Sequence, residues 1–246
     1  MPKLSKPFAK IVSVTPNILD VIEDSARLCY LSEPKHPLPE NALPSEEKAR
    51  LFEQATFLLS KIRLGHHSIL EHGNITVDFG FDRGVSHELV RHRLQAISQS
   101  STRYCNFSQE KYDSQISVIE PFFFDKDEIR QVAQRGKLSL TKWDVWMAAM
   151  ENAEYAYMKL IKLGATPSEA RSVLPNSLET FMRSTMNVRE WRHVLKIRTE
   201  AGVHQQMAEV MVPLLWEFRK QWPILFGDIE PADKWLSLWP DPYQGV

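Results

Sequence analysis

Residues 141–163 constrain the fold most, because their apolar side chains recur with the period of an α-helix, about 3.6 residues. The apolar positions are Trp143, Trp146, Met147, Met150, Ala153, Tyr157, Leu160 and Ile161. Such a stripe predicts a long helix whose apolar side lies in the core or at a subunit interface. Gly164 follows the stripe and predicts the end of the helix.

Four short segments are rich in β-branched residues or alternate apolar with polar side chains, which predicts strands. They are residues 11–14, 75–81, 116–119 and 178–186. Helices are predicted at 17–29, 45–65, 87–93, 166–175, 187–198 and 204–219, and loops at 32–44, 65–73 and 94–104. Because strands and helices do not alternate regularly, we predict an α+β (mixed α/β) fold. We expect a single domain spanning 1–246, with a tail rich in Pro and Trp from about residue 222.

The composition excludes several classes of function. A net charge of -1 gives no overall basic field for nucleic acid. Cys29 and Cys105 form no CxxC pair, which argues against a disulfide framework or a cysteine zinc site. No apolar run approaches the roughly 20 residues that span a bilayer. We therefore predict a cytoplasmic protein with neither a nucleic-acid nor a membrane partner, and the absence of GxGxxG and Walker motifs argues against those nucleotide sites.

A basic segment at residues 91–104 is the strongest functional signal. Arg91, Arg93 and Arg103 have no Asp or Glu near them between residues 89 and 107. The planar guanidinium group of arginine suits phosphate and carboxylate, and the serine hydroxyls at 98, 100 and 101 could complete an anion site. The alternative is a solvated basic turn whose partners lie elsewhere in the chain.

A second cluster contains His66, His67, Glu71 and His72. A zinc site needs three or four converging ligands, and neither HExxH nor HxxEH is present. Three interpretations therefore stay open: polar residues that bridge a helix and a strand, the zinc site of a metal-dependent hydrolase, or a loop at the edge of a cofactor.

A third group of basic residues lies downstream, at Arg171 and within 187–198. Arg171 is either a helix-surface charge or a phosphate ligand, and Arg189, Arg192 and Lys196 are expected on the solvated side of a helix. A Ser-His hydrolase has little support, because there is no GxSxG motif and no identifiable acid partner.

Together these clusters resemble flavin-dependent thymidylate synthases. The hallmark of that family is Arg-His-Arg, then seven residues, then Ser, and residues 91–93 followed by Ser101 match it. The resemblance covers roughly residues 66–209 and implies that family's fold, with a central antiparallel-rich sheet and long flanking helices. It also implies a homotetramer, with active sites shared between subunits, that makes dTMP from dUMP. FAD is then the cofactor, and NADPH and methylenetetrahydrofolate are the co-substrates.

The resemblance implies a role for each matching residue. dUMP would be bound by Glu88, Arg91, Gln99, Ser100, Ser101, Thr102, Arg103, Arg171 and Arg198. FAD would be bound by Ser68, Glu71, Arg91, His92, Arg93, Gln99, Asn187, Arg189 and His193, with His204 as a further candidate. Arg198 matches the arginine that polarises the uracil and is the catalytic candidate. No metal is implied.

The chemistry agrees with these roles. A dUMP phosphate needs a cationic clamp, and a uracil that accepts hydride needs a fixed positive charge near its carbonyl. The flavin would supply the redox chemistry, so Ser101 is interpreted as a ligand, with a serine nucleophile as the alternative. Ala96, Ser98 and Gln99 depart from the common Ser, Asn and Glu of the family. The competing hypotheses are a metal-dependent hydrolase using His66, His67 and His72, and a non-catalytic nucleotide- or RNA-binding module.

Overall fold

The computed structural model describes residues 1–33, 42–126, 130–131 and 139–243. Its helices are α1 (Ile18–Leu28), α2 (Pro44–Arg63), α3 (Arg83–Leu89), α4 (Lys142–Lys162), α5 (Pro167–Ala170), α6 (Val188–Arg198), α7 (Gln205–Gln221), α8 (Pro223–Phe226) and α9 (Asp233–Leu236). Its strands are β1 (Lys3–Ser5), β2 (Phe8–Val14), β3 (Asn74–Asp82), β4 (Ala96–Gln99), β5 (Ser117–Ile119), β6 (Arg130–Gln131), β7 (Ser139–Leu140) and β8 (Glu179–Asn187). Short 3-10 helices cover His67–His72, Glu110–Tyr112 and Arg171–Val173. This mixture confirms the α+β prediction.

The main sheet has the strand order β2-β3-β8-β4, and two smaller sheets pair β1 with β5 and β6 with β7. β1 and β5 are parallel, with Lys3 opposite Ser117, whereas β6 and β7 are antiparallel. The strands predicted at 11–14, 75–81, 116–119 and 178–186 are confirmed as β2, β3, β5 and β8. In β8, buried and exposed side chains alternate, as expected for a strand with one covered face.

The chain divides into two compact units, which are described separately. Unit 1 comprises Met1–Phe8, Phe79–Arg91 and Ser98–Met182. Unit 2 comprises Ala9–Asp78, His92–Ile97 and Arg183–Val246. A single domain over residues 1–246 stays a prediction. No helix in the described ranges is long and apolar enough to cross a membrane.

The long helix α4 confirms the prediction for residues 141–163 and supplies part of the core of unit 1. Thr141 caps it by accepting a hydrogen bond from the N–H of Asp144 at 3.0 Å. Gly164 follows with a φ of 96°, a left-handed conformation that favours glycine. Met150 packs with Ile116, Val118 and Leu178, while the opposite side of α4 exposes Val145 and Tyr155.

Unit 2 is built around α7, which is buried over most of its length. Trp191 on α6 is fully buried, and its indole N–H donates to the carbonyl of Ile75 at 2.9 Å. The tail beyond α8 also packs into this unit. Trp235 on α9 is 2% exposed and joins a cluster with Trp216, and its indole N–H donates to the carbonyl of Glu200 at 3.0 Å. A buried indole needs such a partner for its N–H.

Helix α2 confirms the predicted helix at 45–65. The side chains that it buries, however, are not all the apolar ones that the sequence pattern indicates. Leu51 and Phe52 are exposed, whereas Arg50 and Gln54 are buried. The reason is Glu23 on α1, a fully buried carboxylate. It accepts hydrogen bonds from Arg50 Nη2 at 2.7 Å and Gln54 Nε2 at 3.0 Å. A buried charge is stable only with such partners, so polar residues of α2 take inward positions.

Predictions were wrong at three places that bear on the site. The short helix begins at Arg83 rather than His87, because Asp82 caps it by accepting from the N–H of Val85 at 2.7 Å. Ser86 lies inside this helix. The segment after it was predicted as a loop, yet residues 96–99 pair with β8 as strand β4. The connection at 65–73 contains the 3-10 helix His67–His72. Part of the predicted loop at 32–44 lies outside the described residues.

Candidate functional site

Unit 1 contains the residues predicted to bind the nucleotide, apart from Arg198. Glu88 is half-buried near the end of α3, and Arg91 is exposed in the turn that follows. Gln99 ends β4, and a turn carries Ser100, Ser101, Thr102 and Arg103. The exposed guanidinium of Arg103 lies 5.5 Å from the ring centroid of Tyr104. The sequence motif therefore becomes a strand end followed by a tight turn.

A cavity of about 230 Å³ lies beside this turn, within unit 1. Ser100, Ser101 and Thr102 line it together with Lys3 and Glu179. Burial raises the pKa of the Glu179 carboxyl, although hydrogen bonds with Ser5 and Ser117 and the charge of Lys3 partly offset this effect. The cavity thus combines hydroxyl groups, a cation and a carboxyl that ionises less readily than usual.

Four polar side chains support the turn. Gln99 Nε2 lies 3.0 Å from Ser86 Oγ and 3.1 Å from Thr180 Oγ1, and Ser100 Oγ lies 3.0 Å from Thr180 Oγ1. Ser86 and Thr180 are fully buried, so their hydroxyls depend on these partners. The N–H of Phe181 donates to Ser100 Oγ at 3.2 Å. Gln99 is therefore held by the scaffold of α3 and β8, and it holds the turn in its place.

Arg83 is a functional candidate that the sequence analysis missed. It opens α3, and its Nη1 is buried without a hydrogen-bond partner among the described residues. Burial above all, and then the charge of Arg171, lower the pKa of the Arg83 guanidinium. Two arginines that act on each other electrostatically attract an anion, so Arg83 and Arg171 are candidate ligands for a phosphate. An arginine directly after the helix-capping Asp82 was the only signal in the sequence.

Unit 2 contains the residues predicted to bind the cofactor, apart from Arg91 and Gln99, and it also holds the catalytic candidate. Arg198, in the last turn of α6, donates from Nε to His92 Nε2 at 2.9 Å. Burial above all, then the charge of Arg198 and His193, lower the pKa of His92 to about 4. The imidazole is therefore neutral at ordinary pH. Because Nε2 accepts this hydrogen bond, Nδ1 carries the proton and faces Glu190 Oε1 at 3.8 Å.

His92, Glu190 and His193 have the spacing of a metal site, with ligand atoms within 4.8 Å of one another. The tautomer argues against this use, since Nε2 of His92 is committed to Arg198 and Nδ1 bears a proton. The ring of His193 meets that of His92 edge-on at 5.7 Å. We therefore interpret the cluster as a hydrogen-bonded support for Arg198.

Other cofactor candidates lie on α6 and on the 3-10 helix before β3. Asn187 caps α6 by accepting from the N–H of Glu190 at 2.9 Å, and Arg189 Nη1 contacts Glu71 Oε1 at 2.5 Å. Arg189 and His193 line a groove of about 410 Å³ together with Arg192 and Lys196. Arg192 is already held by Asp228 in a two-point ion pair. Ser68 and Arg93 are exposed.

The histidines proposed for a hydrolase do not converge. Within the ranges that the structure describes, His66, His67 and His72 belong to no group of three potential metal ligands. His67 Nε2 lies 3.2 Å from the carbonyl of Ile62, while His66 and His72 are exposed. The geometry favours the interpretation of polar residues that bridge a helix and a strand.

Comparison with known proteins adds a family assignment. A family model described as "thymidylate synthase complementing protein" matches residues 10–224. The flavin-dependent thymidylate synthase of Geobacter sulfurreducens is 31% identical over 219 residues, which cover 89% of this chain and 84% of that protein. The corresponding protein of Mycobacterium bovis is 31% identical, over 85% and 79% of the two chains.

Solved structures agree on the fold. A UMP/dUMP methylase, PolB from Streptomyces cacaoi, whose crystal structure contains 5-Br dUMP, aligns with a TM-score of 0.65. The alignment covers 97% of this chain and 98% of that one at 18% sequence identity. At this identity the likeness concerns the backbone fold.

Proposed function

Because the chain belongs to the family of flavin-dependent thymidylate synthases, we propose that it makes dTMP from dUMP. Methylenetetrahydrofolate is the carbon donor, FAD is the cofactor and NADPH is its reductant. Family membership confirms the predicted enzyme class, the transferase chemistry and the cofactor set. No observation favours a metal-dependent hydrolase or a non-catalytic binding module.

The donor groups of unit 2 fit FAD. Arg93 is exposed without an acidic partner among the described residues, which suits the cofactor's pyrophosphate. His92 is a neutral, buried imidazole beside His193, and Asn187, Arg189, Glu71 and Ser68 are the remaining unit 2 ligands in this proposal. In the same proposal Arg91 and Gln99 also contact FAD. When bound, FAD supplies the redox chemistry by which a hydride reaches the nucleotide.

The arginines of the 91–103 segment carry the proposal. Arg91, Arg93 and Arg103 have no carboxylate partner anywhere in the described part of the chain, not only nearby in the sequence. Uncompensated guanidinium groups need anions, and the phosphates of dUMP and FAD supply them. In this proposal Ser100 to Arg103 and Arg171 hold the dUMP phosphate. Glu88, Arg91 and Gln99 contact the nucleotide, and Arg198 polarises the uracil.

A visible spectrum tests the function directly. Purified protein incubated with FAD is expected to retain flavin after gel filtration. Anaerobic NADPH should bleach its absorption, and added dUMP with methylenetetrahydrofolate should yield dTMP in a single turnover. A protein that never retains flavin and forms no dTMP would contradict the proposal.

The two arginines of unit 1 give a separate prediction. Replacing Arg83 by alanine should weaken dUMP binding by about 1.5–3 kcal/mol, the usual contribution of a hydrogen bond to a charged group. Calorimetric titration with dUMP measures this change, with Lys159→Ala on the exposed face of α4 as the control. If Arg83→Ala binds like the unaltered protein while Arg171→Ala does not, Arg83 is not a ligand.

The homotetramer with shared active sites belongs to the same proposal, as does a cytoplasmic location. The exposed apolar residues of α4, Val145 at 58% and Tyr155 at 68%, support burial against another subunit. Light scattering during gel filtration measures the mass, and a monomer at micromolar concentration would contradict the assembly.

A further inference from the structure

Ser86 and Gln99 set the direction of a hydrogen-bond chain in unit 1. Ser86 is fully buried, and its hydroxyl donates to the carbonyl of Arg83 at 2.8 Å. A hydroxyl has one proton, so Ser86 Oγ can only accept from its other neighbour. That neighbour is Gln99 Nε2 at 3.0 Å. The amide of Gln99 therefore presents its NH₂ group to the scaffold.

Thr180 continues this hydrogen-bond chain, with the donors pointing in a direction that its neighbours determine. It is fully buried, and its hydroxyl has two polar neighbours among the described residues, Gln99 Nε2 at 3.1 Å and Ser100 Oγ at 3.0 Å. An NH₂ group cannot accept, so the proton of Thr180 goes to Ser100 Oγ. Leaving that buried proton unpaired would incur the full cost of its desolvation.

Ser100 is the last member of the hydrogen-bond chain, and its hydroxyl can only donate. Its oxygen accepts from Thr180 Oγ1 and from the N–H of Phe181 at 3.2 Å, which uses both lone pairs. Its own proton has no acceptor among the described residues. Ser100 is half-buried and lines the cavity of unit 1, so this proton is available to a ligand there.

We propose that Gln99 is a positioning residue that makes Ser100 a donor-only hydroxyl for a phosphate oxygen of the nucleotide. This inference rests on the proposed function, because dUMP supplies the phosphate. A donor-only group suits an unprotonated phosphate oxygen, which only accepts. It also discriminates against a ligand that offers a hydroxyl or amine proton at that point.

With the hydroxyls of Ser86, Ser100 and Thr180 around residue 99, a glutamate would not set the same direction as Gln99. An ionised carboxylate has no proton to donate, so the hydroxyl of Thr180 would turn towards it. Ser100 would then donate to Thr180 and present a lone pair to the phosphate. The site would keep its shape but bind the phosphate poorly, because Ser100 would offer it a lone pair instead of a proton.

Ser100→Ala tests the donor itself. We expect the dissociation constant for dUMP, measured by calorimetry, to rise roughly 10- to 100-fold, since a hydrogen bond to an anion is lost. Ser108→Ala removes a hydroxyl of the same unit that donates to Asn106 Oδ1 at 2.7 Å, and it should leave binding unchanged. Unchanged affinity in Ser100→Ala would overturn the proposal.

Gln99→Glu tests the direction of hydrogen-bond donation between Thr180 and Ser100. At pH 8 it should weaken dUMP binding at least as much as Ser100→Ala. As the pH falls and the introduced carboxyl gains a proton that it can donate, affinity should recover relative to the unaltered protein at each pH. A pH-independent loss, or affinity equal to that of the unaltered protein at pH 8, would refute the proton direction.

The same titrations separate this inference from the proposed function. If the unaltered protein loaded with FAD does not bind dUMP, the proposed substrate is wrong. If it binds dUMP and both variants bind equally well, only the role of Gln99 and Ser100 is wrong.

Discussion

Replacing Arg198 by alanine is expected to reduce the turnover number for dTMP formation roughly 100- to 1,000-fold, the usual effect of removing one preorganised donor from developing negative charge. Arg198 is positioned for this role, because its Nε donates to His92 Nε2 at 2.9 Å and this hydrogen bond orients the guanidinium group. FAD binding should persist, since the proposed cofactor ligands are other residues.

The measurement is single-turnover dTMP formation, with flavin content read from the absorption spectrum of the same sample. Arg198→Lys keeps the charge but loses the planar donor pair, so it should recover only part of the activity. Arg63→Ala, at the exposed end of α2, is the control for removing an arginine from unit 2. An Arg198→Ala protein with normal turnover would show that this residue does not activate the uracil.

Replacing Glu23 by alanine is expected to destabilise the folded state by about 3–5 kcal/mol, because it removes the buried carboxylate that two buried guanidinium groups share. Glu23 is fully buried, and Arg27 and Arg50 each donate to it at 2.7 Å. Urea unfolding followed by tryptophan fluorescence measures the loss. Glu47→Gln, exposed on α2, should change stability by less than about 0.5 kcal/mol.

The same network predicts a dependence on pH. Burial alone would raise the pKa of Glu23, but hydrogen bonds from Arg27, Arg50 and Gln54 outweigh it and hold the pKa below its ordinary value of 4.5. A carboxyl with a lowered pKa stabilises the fold fully above that ordinary value, and the stabilisation is lost as the pH falls below it. Glu23→Gln should flatten this acid limb, and an unchanged limb would contradict the assignment.

Periodic patterns predicted most elements of the fold. The stripe of α4, the alternation in β3 and the cap at Asn187 depend on interactions within a few residues, so they are legible in the sequence. Strand β4 was missed because residues 96–99 carry few apolar side chains, and their strand conformation depends on pairing with distant β8. The inward orientation of Arg50 was missed because its partner Glu23 lies on another helix.

In the candidate site, too, some features were predictable from the sequence and others depended on partners distant in the chain. The order of basic and polar residues at 91–103, 171 and 187–198 was sufficient to identify the family and to name most of the proposed ligands, but not Arg83. Spacing alone gave no sign that the charge of Arg171 acts on Arg83, because Arg83 begins α3 and Arg171 begins a 3-10 helix almost ninety residues later. Nor did it indicate that His92 would be neutral, a property set by burial and by neighbouring Arg198 and His193.

The sequence by itself determined the long helices, four of the strands and the residue types available to the site, because these depend on local periodicity and residue type. Only the tertiary structure decided which hydroxyls face Gln99, which nitrogen of His92 accepts from Arg198, and which carboxylate is buried. The physical reason is that hydrogen-bond direction and pKa depend on neighbours brought together by folding, often from segments distant in the chain.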